Sequence, residues 1–518
     1  MGQAREWADS SQSIRRFDIA LLGIDVGTGG SRAIVVDGAG AVLASATVDH
    51  VPFASEQSGW ADQDPRDWWR ASQAAIRQVL SQGAVQPKDI TSVGLSGQMH
   101  GAVLLDQAHE VVRPALIWCD QRTEEQCRWL DSTVGAEQLL RLTCNPALTN
   151  FTLTKLLWVR QHEPRLWERV RHVLLPKDYV RLRLSGELAI DVADASGSLM
   201  LDVAGRKWSN EILSATGLDA AILPAVYESP EVCARVSAEA AQLTGIPVGT
   251  PIVAGAGDQA AGAVGMGIAR PGMVSVTIGT SGVVFAATEH PALDPKGRLH
   301  TFCHAIPGRW HVMGVTQAAG LSLRWFRDML SSDGEQSVDY ERLTTEASQT
   351  PPGADGLLWG PYLMGERTPH LDPRVRAGLV GIGAHHTRGH VTRAILEGVA
   401  FSQRDSFTIF RELGVPIERV RIGGGGARSP LWRQIQADVY GLAVETLEAE
   451  EGAAYGAALL AGVGAGIWSN VDEACDQAVR GKETIQPRSA VASVMNERYG
   501  AYRKLYGALK DFGHEPVS

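Results

Sequence analysis

Two aspartates stand where a carboxylate in this chain can take part in chemistry. Asp25 closes the apolar run Leu21-Leu22-Gly23-Ile24 and precedes Val26-Gly27-Thr28-Gly29-Gly30-Ser31. A charge at the end of a buried strand costs several kcal/mol if it is dry and unpaired, so the position points to a wet cleft or a metal. The Gly/Thr/Ser turn exposes N–H groups and hydroxyls, a nest for phosphate oxygens. The carboxylate beside it suits hydrated Mg²⁺. No GxxxxGK[ST] motif occurs, so this is not a P-loop. Asp258 follows Pro251-Ile-Val-Ala-Gly-Ala-Gly257 and opens a run of small residues. It is read either as the N-cap of a helix or as a general base in a cleft. The GxGxxA pattern also matches a dinucleotide fingerprint. Here, however, the next strand run leads into Gly279-Thr280-Ser281-Gly282, not to an acidic strand end.

Three further segments carry candidate contacts. Ser96-Gly97-Gln98-Met99-His100-Gly101 lies between two strand-like runs and reads as a polar rim, or as a turn with a structural histidine. Trp118-Cys119-Asp120-Gln121-Arg122 sets polar groups beside an indole. That pairing suits a polyol, whose hydroxyls need directional partners and whose CH faces favour a ring. Gly423 to Gly426 join the strand run Val420–Ile422 to a helix with Ser429 at N-cap and Pro430 at N1. Four glycines permit flat backbone approach by a base or ribose; the alternative is a plain connector. His385, His386 and His390 suggest a metal but lack Cys or carboxylate support, so a solvated loop is expected. Gly365-Glu366-Arg367-Thr368-Pro369-His370 reads as scaffold or cleft rim.

These segments need elements to hold them. Strand-like runs include Ala20–Val26, Ser92–Leu95, Met273–Ile278 and Val283–Ala287, with helical patterns between them at 66–81, 317–330, 389–413, 430–441 and 453–463. Strands alternating with helices predict an α/β class with central sheets. Gly27-Thr28-Gly29-Gly30 and Gly279-Thr280-Ser281-Gly282 echo each other, each between apolar runs. Two similar halves would set two phosphate cradles across one cleft. At 518 residues, 44% hydrophobic and 20% charged, the chain can bury large cores and is not disordered. A net charge of −10 argues against nucleic acid as a partner. Six cysteines with no CxxC pair suggest neither a zinc ribbon nor a disulfide framework. No apolar signal core and no membrane-length run is visible, so a cytoplasmic location is expected.

In order along residues 20 to 465, the chain resembles the FGGY carbohydrate kinases, and among them the xylulokinases. The matching segments include GIDVGTGGSRA, GWADQDP, GLSGQMHGAVLLD, LIWCDQR, TLTKLLWVRQHEP, LLPKDYVRLRLSG, AGAGDQAAGAVG, IGTSGVVFA, GERTPH, LEGVAFS and GGGARSPLWRQ. The resemblance implies two actin-like (ribonuclease H-like) ATPase domains with a deep cleft between them. It implies an N-terminal extension over 1–19, a sugar-side domain over 20–262 and a nucleotide-side domain over 263–518. It implies transfer of the ATP γ-phosphate to a sugar hydroxyl, with Mg²⁺; for D-xylulose the product is D-xylulose 5-phosphate. By matched position, Asp258 is the base and Asp25 organises Mg²⁺ and phosphates, both lying at the metal. Met99, His100, Trp118, Asp120 and Gln259 line the sugar site. Thr28, Gly279 and Thr280 hold phosphates, and Gly320, Arg324, Gly425 and Ser429 lie along the nucleotide. Gln259 stands where xylulokinases often carry Asn, and Cys119 interrupts a usual Trp-Asn-Asp. Another ketose or polyol as substrate, and an actin-like ATPase module without sugar transfer, remain as alternatives; a homodimer is an open option.

Overall fold

The computed structural model describes residues 19–330, 338–449 and 451–512. Except for residue 19, the expected N-terminal extension lies outside them. The first lobe is built from β1 (Ala20–Val26), β2 (Gly30–Asp37), β3 (Val42–Asp49), α1 (Pro65–Ser81), β4 (Ile90–Gly97), α2 (Pro176–Ser185), β5 (Val232–Arg235), β6 (Pro251–Val253), β7 (Ala256–Gly257) and α3 (Asp258–Gly265). Its sheet runs β5-β6-β4-β1-β2-β3, with β7 also paired to β4. β1 is buried along its length except at Asp25, as a strand covered on both faces requires. Helix α1, on the helical pattern read at 66–81, starts on local signals: Asp64 accepts a hydrogen bond from Arg66 N, Pro65 takes the first position, and Trp68, Trp69, Ile76 and Val79 turn inward. The long segment between β4 and β5 makes a cap with its own core, including Leu104, Phe151 and Trp158, onto which Phe302 and Met313 of the second half pack.

The second lobe contains β8 (Gly272–Ile278), β9 (Gly282–Thr288), β10 (His300–Cys303), β11 (Trp310–Thr316), α4 (Gly320–Leu330), α5 (Arg388–Glu412), β12 (Ile417–Gly424), α6 (Pro430–Tyr440), β13 (Val444–Leu447), α7 (Gly452–Gly464) and β14 (Gly481–Ile485). Its sheet runs β10-β11-β9-β8-β12-β13-β14. The two lobes share one plan. An antiparallel hairpin (β1–β2, β8–β9) gains a third antiparallel strand on one side (β3, β11). On the other side two parallel strands follow (β4 and β6; β12 and β13). The glycine echo read in the sequence is thus the hairpin turn at the head of each repeat.

The lobes meet through α3 and α7, which pack on each other and on the first sheet. Small residues make this possible. A Cβ at position 456 would lie 1.7 Å from the Ala261 carbonyl oxygen, and one at 94 only 1.9 Å from that of Ala457. A Cβ at position 23 would lie 2.0 Å from the carbonyl oxygen of Ala454. Tyr455, wholly buried on α7, donates its hydroxyl to Gly40 O at 2.8 Å, and Arg32 of β2 pairs with Glu451 at the start of α7. Helix α3 also spans the expected domain division after residue 262. Among the described residues, no helix is long and apolar enough to cross a membrane.

Close approach at Gly456 predicts that Gly456→Ala destabilises the protein by about 1–3 kcal/mol, as overpacking does. Gly500 is an exposed helical glycine with open space around it. Gly500→Ala is expected to stabilise by about 0.5–1 kcal/mol. Urea unfolding of both variants checks the pair; equal effects would refute the packing account.

Candidate active site

Asp25 sits at the end of β1, opposite Ser96 of β4 in register, and its Oδ1 accepts the Ser96 hydroxyl at 2.8 Å. Asp258 is the first residue of α3. Gly257 holds the N-cap position and no side chain caps the helix there, so Asp258 is not spent as a cap. Both carboxyls are enclosed by protein yet partly open to solvent. Burial raises the pKa of Asp25. Burial, and then the nearby charge of Asp25, push that of Asp258 up to about 7. Among the described residues the side-chain partner of Asp258 is Gln259, whose Nε2 donates to Oδ1 at 3.3 Å. Two like-charged carboxyls, bonded by no cationic side chain among the described residues, form a donor set that fits a hydrated divalent cation.

The turn after β1 is held from behind. Gly27 N donates to Gly30 O at 3.0 Å, and Gln63 Nε2 donates to Thr28 O at 2.8 Å. The Oε1 of Gln63 accepts from Gln98 Nε2 and Trp68 Nε1. Trp118, 42% exposed, donates its indole N–H to the Thr28 hydroxyl at 2.9 Å. Gln63 lies within GWADQDP, and its part is not legible there because its partners Thr28, Trp68 and Gln98 lie on separate elements.

Met99 and His100 follow β4. Met99 presses on Gly257, where a Cβ would meet its Cγ at 2.8 Å. His100 takes a left-handed φ of 67°, uncommon for a residue with a Cβ. Its Nδ1 lies 2.6 Å from Gly197 O. A carbonyl only accepts, so Nδ1 carries the proton and Nε2 is bare. Burial, with the charges of Lys155 and Arg367, lowers the His100 pKa to about 3, so the ring is neutral. The carbonyl of His100 accepts from Thr152 and from the fully buried Lys155.

Asp120 is wholly buried. Its oxygens accept from Ala61 N, Arg122 N and Arg122 Nε at 2.7, 3.0 and 2.8 Å. Arg122 also pairs with Asp62 and lies 3.9 Å from the Trp60 ring centroid. A second buried knot, missed in the sequence because its charges are spread over 17 positions, lies behind Gly257. Lys177 Nζ contacts Asp178, Asp191 and Asp194 at 2.7, 2.5 and 2.9 Å, all four fully buried. Asp194 Oδ1 lies against Gly257, and Gly197, the acceptor of His100, ends the short helix that begins after Asp191.

On the second lobe, Gly279 and Thr280 are exposed in the β8–β9 turn. Their carbonyls accept from Gly320 N (2.9 Å), Ala319 N (3.0 Å) and Leu321 N (3.1 Å) at the start of α4. A Cβ at 320 would meet Gly279 O at 2.4 Å, so the helix start needs its glycine. In the four-glycine run, Gly424 (φ 75°) and Gly426 press on Ile278 at the end of β8. Gly425 is exposed with free space beside it, and Ser429 caps α6, accepting from Trp432 N at 3.3 Å. Two of these glycines therefore serve strand packing. Arg324 stands exposed on α4. His390 bonds Asp355, and among the described residues no cluster of three or more metal-ligating side chains occurs.

The fold is two repeats of one α/β plan, each headed by a glycine hairpin turn, with Asp25 and Asp258 near enough for their charges to repel; comparison with known proteins gives the class, a two-lobed sugar kinase. The N-terminal domain model of the FGGY family of carbohydrate kinases matches residues 20–265, and the C-terminal domain model matches 274–465. The chain is 39% identical to the xylulose kinase of Bacillus subtilis (strain 168), over 95% of this chain and 97% of that one. It is 36% identical to the xylulose kinase of Escherichia coli (strain K12), over 94% and 99%. The crystal structure of xylulose kinase from Rhodospirillum rubrum superposes with a TM-score of 0.87 at 31% identity, covering 96% of this chain and all of that one. The chain belongs to the FGGY family of carbohydrate kinases, has the family's actin-like two-domain fold, and takes ATP as co-substrate.

The raised pKa of Asp258 links to stability. Its carboxyl is protonated in the folded state at pH values where the unfolded chain, with its ordinary 3.8, has already ionised. The stability it contributes is full below 3.8 and is lost as pH rises toward about 7. Asp258→Asn therefore raises the melting temperature by an amount that grows from 3.8 to about 7 and then levels off. A gain independent of pH would count against this environment.

Proposed function

We propose that this chain transfers the γ-phosphoryl group of ATP to the O5 hydroxyl of D-xylulose, giving D-xylulose 5-phosphate and ADP. The carrying observation is the carboxyl of Asp258, close enough to Asp25 for the two charges to repel and, among the described residues, bonded by Gln259 but by no cationic side chain. A sugar hydroxyl is a poor nucleophile, and a carboxylate with a raised pKa suits removal of its proton in flight. The hydroxyl oxygen bonds to the γ-phosphorus, the bridge to the β-phosphate breaks, and the proton passes to Asp258. Such transfer rests on positioning and charge stabilisation.

Asp25, with Asp258, would hold Mg²⁺, and Mg²⁺ when bound neutralises charge on the phosphates. Thr28, Gly279 and Thr280 cradle phosphates from the two hairpin turns. Gly320, Gly425, Ser429 and Arg324 line the nucleotide. His100 accepts a sugar hydroxyl at its bare Nε2, beside Met99 and Gln259, and the exposed face of Trp118 covers a CH face. Asp120 acts from behind, holding the Trp118 segment through Arg122. Neutral His100 keeps the pocket free of a competing proton donor. Closure of the lobes excludes water, which competes for ATP. Six cysteines without a disulfide among them suit a cytoplasmic enzyme.

A coupled ADP assay with D-xylulose, D-ribulose, pentitols and glycerol tests the reading. D-Xylulose is expected to give the highest kcat/KM. Asp258→Asn is expected to cut kcat by about 10²-fold or more with the protein still folded. Preference for another sugar reassigns the substrate, and sugar-independent ATP hydrolysis alone returns the chain to an ATPase module.

A further inference from the structure

Arg367 belongs to a loop of the second lobe that the reaction as described leaves unused. Its surroundings are unusual for an arginine. Glu366 beside it turns its carboxylate inward, accepting from Gln317 N at 2.9 Å, Arg367 N at 2.8 Å and Ser402 Oγ at 3.2 Å. The Arg367 guanidinium itself meets no carboxylate among the described residues, and its single side-chain bond runs from Nη2 to His300 Nε2 at 2.9 Å. His300 is fixed to receive it. Asn145 spends its amide N–H groups on the carbonyls of Thr143 and Thr301, so its Oδ1 accepts from His300 Nδ1 at 2.8 Å. That leaves Nε2 of His300 bare. Burial lowers the Arg367 pKa only to about 10, so the group stays charged.

The same cluster holds His100. The rings of His100 and His300 both stand edge-on to Phe151, with centroids 4.9 and 5.6 Å away, and both lie near Phe302. The charge of Arg367 is felt at His100. A guanidinium has five N–H donors and no acceptor, and here one is spent. A half-buried cation without a counter-charge is costly unless a ligand supplies acceptors. Within reach of its charge, across Phe151, stands neutral His100, whose bare nitrogen can only accept. A donor of fixed charge beside an acceptor matches a carbonyl next to a hydroxyl.

We propose that Arg367 and His100 together read the hydroxyketone unit of the acceptor sugar, the guanidinium donating to the keto oxygen and Nε2 of His100 accepting from a neighbouring hydroxyl. The assignment rests on the ketose reading above and sharpens it. It makes Arg367 a substrate-binding residue contributed by the lobe opposite the base, so a ketose ties the lobes together through His300 and Asn145. A pentitol, which has a hydroxyl where the ketose has its carbonyl, offers the guanidinium a weaker acceptor.

The test compares D-xylulose with the pentitols xylitol and D-arabinitol in wild type, Arg367→Met and Arg367→Gln. Both variants are expected to raise the KM for D-xylulose at least about 10-fold while changing the pentitol KM less than about twofold, so the ketose preference collapses. The melting temperature should stay level or rise, because an uncompensated cation is removed, and the thermal shift produced by D-xylulose should disappear. An unchanged ketose-to-pentitol ratio in folded variants overturns the proposal, as does a lower melting temperature with that ratio intact. Wild type that fails to phosphorylate D-xylulose overturns the ketose reading itself, whatever the variants do.

Discussion

The crossing of α3 and α7 is the constraint on which this molecule depends. Each helix follows the last parallel strand of its own lobe, and each leans on the other at backbone distance. Position 456 tolerates no Cβ against Ala261, and Gly23 and Gly94 clear the face of the first sheet for Ala454 and Ala457. Interiors packed at this density transmit displacement and do not absorb it. The crossing therefore sets where α3 begins. Its first residue is Asp258, and the strand under it, β7, is in register with the end of β4 beside Asp25. A packing contact made of glycine and alanine thus decides the separation of the two charges at the cleft floor.

The electrostatics follow from that placement. Nature could have neutralised Asp258 with a lysine, and a cation does lie close behind, but Lys177 is fully engaged by three other aspartates. The knot is sealed off from the cleft by Gly257 and Met99. It holds the short helix that ends at Gly197, and so the tautomer of His100, without bonding Asp258. Among the described residues Asp25 and Asp258 bond no cationic side chain, and the Arg367 guanidinium meets no carboxylate. Buried charges inside a folded protein are paired where they serve architecture, and left open where a ligand brings the partner.

Several sequence readings carried over to the residue. Ala20–Val26 is β1 with its stated ends, Ser429 caps the helix predicted after it, and the glycine echo marks equivalent turns of two repeats. Other readings changed meaning. The capping alternative for Asp258 falls because Gly257 occupies the cap. The glycines at 424 and 426 answer to Ile278, a strand neighbour invisible from their own segment. Strands β10, β11 and β14 drew no prediction, since histidines, glycines and charges break their alternation and only pairing within the sheet reveals them.

Residue order alone settled the local matters: which runs extend, where helices start, which turns are glycine-rich, and which carboxylates interrupt apolar stretches. These follow from periodicity and backbone preference within a few neighbouring positions. Tertiary structure alone decided charge and tautomer. Whether a carboxylate is a cap, a member of a knot or a free base depends on atoms from distant segments. So does the bare nitrogen of His100, fixed by a carbonyl 97 positions away. Desolvation and Coulomb energy are properties of three-dimensional surroundings, and no span of neighbouring letters contains them.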